Sequence, residues 1–145
     1  MATVWTIGYE KLLPQALLAE LEAAGVQRVI DVRFRPQSRR PGMSKTRLAA
    51  MLAERGIAYE HRRALGTPAD LRVLYRAGRL QEAAAAYRRH VEATAPDALD
   101  ALAIELDGAP RTALLCLEAD PAGCHRRVVT EALRERRADL AVVDL

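Results

Sequence analysis

Gly123-Cys124-His125-Arg126-Arg127 is the segment of this 145-residue chain where reactive side chains crowd most closely. A thiol, an imidazole and a guanidinium in consecutive positions offer a nucleophile, an acid–base group and an oxyanion clamp. The segment reads as a loop-to-helix junction, where free backbone N–H groups and the helix dipole favour an anion and lower a thiol pKa. Burial in an apolar layer would raise it instead. Small buried cysteines are common, so Cys124 is expected to pack rather than attack, with His125 and Arg126 mattering more to any cleft. The ordinary alternative is a core thiol, a capping imidazole and two solvated arginines.

A second group begins with Asp31 and Arg33, two apart in a strand-like run and therefore on one face. They suit a carboxylate–guanidinium pair that positions a ligand, or simply an ion pair at a strand end. Arg35, Ser38, Arg39 and Arg40 follow in a Pro/Gly-containing loop, where dense positive charge suits an anion as well as solvent. Tyr59 and His61 close a third run, with Arg62 and Arg63 after it. Glu118 and Asp120 follow a fourth.

Three familiar chemistries fail on spacing. A Cys-x5-Arg phosphatase loop is absent, since Ala122 lies six residues beyond Cys116 and Thr130 six beyond Cys124. Zinc from Cys116, Cys124, His125 and His61 lacks any Cys-x2-Cys or His-x3-His pairing, so no metal and no cofactor is expected. Cys116 falls inside an apolar run, where packing is its expected use. Gly8 stands alone and makes no glycine-rich phosphate loop.

The elements that must position these residues alternate in type. Thr3–Tyr9, Arg28–Phe34, Ile57–His61, Arg111–Leu117 and Leu140–Leu145 read as strands, the fourth as a continuous apolar run covered on both faces. Helical patterning runs from Pro14 to Gly25 and from a Ser44 cap to Gly56. It returns across residues 70–107 with breaks at Gly78 and Ala95-Pro96, and from Cys124 to Arg137. Strands alternating with helices specify an α/β fold: one three-layer domain over residues 1–145, with a mostly parallel sheet of about five strands. In such a sheet the carboxyl ends of all strands lie on one edge, where open α/β sheets bind ligands. Four polar clusters fall there: Gly8-Tyr9, Asp31 to Arg40, Tyr59 to Arg63, and Glu118 and Asp120 with the Gly123–Arg127 segment that follows them.

Composition narrows the class. Half of the residues are hydrophobic and 28% are charged, a globular balance. No run is long enough for a membrane span and the N-terminus is no signal peptide. Two cysteines make no disulfide framework. A cytoplasmic protein without a membrane partner is expected. The net charge is only +3, although all the basic residues but Lys11 and Lys45 are arginines, the bidentate donors for phosphate and carboxylate.

Taken with their order, these motifs resemble a known family. Thr6-Ile7-Gly8-Tyr9, then Asp31-Val32-Arg33 with Pro36, Ser38 and Arg39, then Cys116-x-Glu118 with Cys124-His125-Arg126 are similar to the bacterial and archaeal domain of unknown function 488 family. Tyr9-Glu10 stands where the family often has His-Ser, and Ala64 where it often has Pro. The resemblance implies an α/β fold with a cleft built from these motifs, and implies no reaction. The expectation is an enzyme or enzyme-like domain for an anionic substrate, phosphorylated or nucleic-acid-derived. In that reading Arg33, Ser38, Arg39 and Arg126 bind the anion, His125 with Asp31 or Glu118 handles protons, and Cys124 is the candidate nucleophile if it attacks rather than packs. The alternative is a non-catalytic nucleic-acid-binding module using the arginine-rich loop. An aromatic content of 4% leaves few rings for base stacking.

Overall fold

A computed structural model describes residues 2–108 and 110–145. The chain alternates as expected: β1 (Ala2–Gly8), α1 (Pro14–Ala23), β2 (Arg28–Asp31), α2 (Lys45–Glu54), β3 (Ala58–His61), α3 (Ala69–Arg76), α4 (Leu80–Thr94), α5 (Pro96–Glu105), β4 (Thr112–Cys116), α6 (Arg126–Arg136) and β5 (Leu140–Asp144). All pairings are parallel, in the order β3-β2-β4-β1-β5.

The helices pack on both faces, and the strands divide their side chains between two cores. Along β4, Ala113 and Leu115 join Leu17, Leu21, Leu48 and Leu52 of α1 and α2. Leu114 and Cys116 join Tyr87, Leu99, Leu102 and Leu133 of α4, α5 and α6. This alternation is the two-residue period of a strand buried on both sides. The division follows from handedness. Right-handed crossovers send β1→β2 and β2→β3 over one face, and β3→β4 and β4→β5 back over the other. The chain therefore leaves β4 toward the face opposite to that taken from its neighbours β1 and β2. Their carboxyl ends part around a crevice, the place where open α/β sheets hold ligands.

Local chemistry sets most element ends. Pro14 occupies the first turn of α1, where its missing N–H costs nothing. Gly78 takes a φ of 76° between α3 and α4, a conformation that glycine adopts without a Cβ clash. Three boundaries depart from expectation. The second strand ends at Asp31 rather than Phe34, because the Arg33 N–H turns back to the Asp31 carboxylate. Ser44 precedes α2, but its hydroxyl is tied to the Ser38 backbone and caps nothing. The last helix begins at Arg126 rather than Cys124, since Pro121–Gly123 forms a separate 3-10 turn held by Asp120. No helix among the described residues is long and apolar enough to cross a membrane.

Candidate functional site

Two arginines are buried at the carboxyl edge of the sheet, one on each face, and they are neutralised very differently. On the α1/α2 face Arg33 follows β2 and meets Asp31 in a forked pair, with Nε 2.9 Å and NH2 2.7 Å from the two carboxylate oxygens. Its remaining donors reach Tyr9 Oη at 3.1 Å and Met43 O at 2.7 Å. Burial would lower the Arg33 pKa, but Asp31 holds it above its ordinary value. The Tyr59 hydroxyl also donates to Asp31, and burial together with that bond raises the Tyr59 pKa further above its ordinary value. Asp31 thus acts as an anchor, fully buried and saturated with donors.

On the opposite face Arg126, at the start of α6, is completely buried. Its guanidinium donates to Thr6 Oγ1 at 3.1 Å, Cys116 Sγ at 2.8 Å, Glu118 O at 2.5 Å and Ala119 O at 3.1 Å. No carboxylate is among these partners. The loop after β4 is thereby stitched to β1 and α6. Thr6 in turn donates to Asp144 at 2.5 Å.

His125 stands beside this cluster. Its Nε2 lies 2.7 Å from Val32 O, which makes Nε2 the protonated nitrogen and leaves Nδ1 a lone pair. That lone pair is 3.5 Å from Cys124 Sγ, and the ring meets Tyr87 edge-on at 5.0 Å. Loss of solvation holds the imidazole below the ordinary histidine pKa. Burial also pushes the Cys116 thiol well up, against a smaller opposing pull from Arg126.

The His125 shift has a sign that can be measured. The folded chain binds this proton less readily than the unfolded one, so its stability contribution is complete above the unfolded value of about 6.5. It is lost as the pH falls through the lower folded value. The melting temperature should drop between about pH 7 and pH 5, and less steeply in His125→Gln. Parallel pH profiles for the two chains would show that His125 titrates normally.

A cleft of about 170 Å³ opens between these two networks. Of the residues singled out from sequence, Arg33, Glu118, Cys124 and His125 line it, with Cys116 on its wall. The other expected residues lie outside that lining. Asp31 sits behind Arg33, and Arg126 lies beneath the β4 loop. Ser38 uses its hydroxyl to accept the Arg40 N–H, and Arg39 extends from the same loop, exposed and without a partner. Arg40 binds the Tyr9, Glu10 and Leu12 carbonyls, so it fastens two loops together.

Sequence reasoning missed the far wall. Thr67, Arg72, Tyr75 and Arg76, from the turn before α3 and from α3 itself, line the cleft together with Arg33 and Arg35. Thr67 Oγ1, Arg72 Nε and Tyr75 Oη are buried without a hydrogen-bond partner. The only comparable side-chain atom among the described residues is Arg28 NH2, elsewhere. The available signal was the Gly66-Thr67-Pro68 break, followed by Arg72, Tyr75 and Arg76 at helical spacing.

The family model described as "Domain of unknown function DUF488" matches residues 14–133. No curated protein and no solved structure matches the chain.

Proposed function

The chain belongs to the DUF488 family, and from that premise we propose an enzyme or enzyme-like domain that binds a small anionic ligand, phosphorylated or nucleic-acid-derived, in the cleft at its strand ends. One observation carries the reading: Thr67 Oγ1, Arg72 Nε and Tyr75 Oη, all buried and unpartnered, line the same cleft. Each such group costs about 1–3 kcal/mol while unsatisfied, and a ligand rich in acceptors removes that cost. The charges agree. Arg35, Arg72 and Arg76 bring three guanidiniums without a carboxylate partner, against the single acidic lining residue Glu118. The volume suits one small anion or one phosphate group, being below the roughly 300 Å³ of sites that enclose drug-sized ligands. His125, with its lone pair toward Cys124, is the proton-handling group of this reading.

The test is thermal stabilisation. Phosphate should raise the melting temperature more than chloride at equal ionic strength, because a ligand of the native state stabilises it by mass action. Arg72→Ala removes a charge-assisted bond of about 1.5–3 kcal/mol, so phosphate affinity should fall about 10- to 100-fold. An unchanged phosphate response in Arg72→Ala would remove α3 from the site. Short oligonucleotides form a second arm. If the arginine loop binds nucleic acid, their affinity should fall steeply with salt, and less steeply in an Arg35→Ala/Arg39→Ala chain. Phosphate binding without oligonucleotide binding at low salt would confine the ligand to small molecules.

A further inference from the structure

We propose that Cys116, Cys124 and Glu118 form a binding site for one thiophilic divalent cation, of which Zn²⁺ is the type. Two thiol sulfurs and a carboxylate oxygen from these residues all lie within 4.8 Å of one another. Cys116 comes from the end of β4 and Cys124 from the end of the 3-10 turn, which folds back to bring them together. A tetrahedral ion with Zn–S bonds of about 2.3 Å separates its ligands by slightly less than 4 Å, so closure of under about 1 Å completes the set. Glu118 follows β4 in the loop and its carboxylate makes no hydrogen bond among the described residues, so the cation breaks no such bond.

The charges are compatible with a bound cation. Arg126 is wholly buried and pairs with no carboxylate, while Arg33 across the sheet has Asp31. A lone buried guanidinium is expensive unless an opposite charge lies beside it. Two thiolates and one carboxylate carry −3, and a divalent cation with Arg126 carries +3. With both thiols protonated, Glu118 and Arg126 balance by themselves, so the cation takes the place of two thiol protons and leaves the set neutral. The Arg126 N–H on Cys116 Sγ then becomes the outer contact that orients a metal ligand. His125, fixed by Val32 O, borders the other sulfur, Cys124 Sγ, through its Nδ1.

This departs from the expectation of no metal drawn from ligand spacing. The Cys-x7-Cys interval forms no short knuckle. The ligands converge only because β4, the loop and the 3-10 turn stack at one sheet edge. The three protein ligands line the open cleft, so the cation has an entry path and a fourth position for water or an anion. Binding expels the thiol protons to solvent and leaves both sulfurs as thiolates, with no change in oxidation state.

The proposal does not depend on the anion reading, and the experiment keeps the two apart. The full chain, stripped with a chelator and kept reduced, is titrated with Co²⁺ in phosphate-free buffer. One equivalent should produce thiolate-to-cobalt charge-transfer absorption in the near ultraviolet and the visible bands of a tetrahedral ion. Zn²⁺ should abolish both. Cys116→Ser and Cys124→Ser should each weaken the ion by about 100-fold or more, and Glu118→Gln by about 10-fold. If a variant fails to fold, the spectrum of the unmutated chain still decides. Absence of the charge-transfer band at a tenfold excess of Co²⁺ would overturn the proposal, as would its survival in the Cys116→Ser/Cys124→Ser chain. Phosphate stabilisation of the metal-free chain reports only on the anion cleft.

Discussion

Asp31→Ala is expected to destabilise the chain by about 3–5 kcal/mol, the usual consequence of removing one partner from a buried ion pair. For a chain of this length that corresponds to a melting temperature lower by about 10–15 °C. The cost arises because Arg33 is left nearly buried with no anion, and Tyr59 loses its acceptor. The lost attraction itself contributes less, since burial had already made both charges costly. That distinction makes the prediction specific. Asp31→Ala/Arg33→Met removes both charges and should be more stable than Asp31→Ala alone, a strongly non-additive cycle. Denaturant or thermal unfolding of the four chains measures it. If the single costs simply add, the pair is not the coupled anchor described above.

The sequence reached this pair by a simple rule. Residues two apart on a strand share a face, and that rule put Asp31 and Arg33 together, although β2 ends at Asp31 and Arg33 reaches the carboxylate by turning back after the strand. The same holds for the alternation of elements, because Pro14, Gly78 and the Ala95-Pro96 step interrupt helices through local backbone chemistry. Strand order was not legible. It depends on which apolar surfaces meet, and β1, β2 and β4 are all apolar enough to be central. The expectation that Arg126 clamps a ligand failed to foresee its burial for a related reason. Besides Cys116 Sγ, its partners are Thr6, 120 residues away, and backbone carbonyls that have no sequence signature. Thr6 itself reads as an ordinary β-former.

The far wall of the cleft shows the same limit from the other side. Arg72 and Tyr75 look like the polar side of an amphipathic helix, and α3 keeps no fully buried residue. Their unpartnered atoms acquire meaning only once α3 is folded so that they share a cleft with the residues that follow β2 and β4. The legible motifs therefore mark the sheet edge, and the tertiary fold supplies what faces it.

The second large effect falls on the point where that edge is tightest. In Gly8→Ala the new Cβ would lie 1.7 Å from Glu118 O and 2.4 Å from Glu118 C, both backbone atoms. No rotamer change relieves such an overlap, so the peptide after β4 must move. That peptide oxygen is an acceptor for Arg126, whose donation would be stretched or lost inside the core. Overpacking costs about 1–3 kcal/mol, and an unsatisfied buried donor adds about 1–3 more. A loss of about 3 kcal/mol or more is expected, with a melting temperature lower by about 10 °C. Gly123→Ala is the matched control, since a Cβ there meets nothing within 4 Å and its φ is not positive. It should change stability by no more than about 0.5 kcal/mol. Thermal unfolding of the two variants beside the parent decides the matter: equal stabilities would mean that β1 and the β4 loop are not held as closely as this geometry requires.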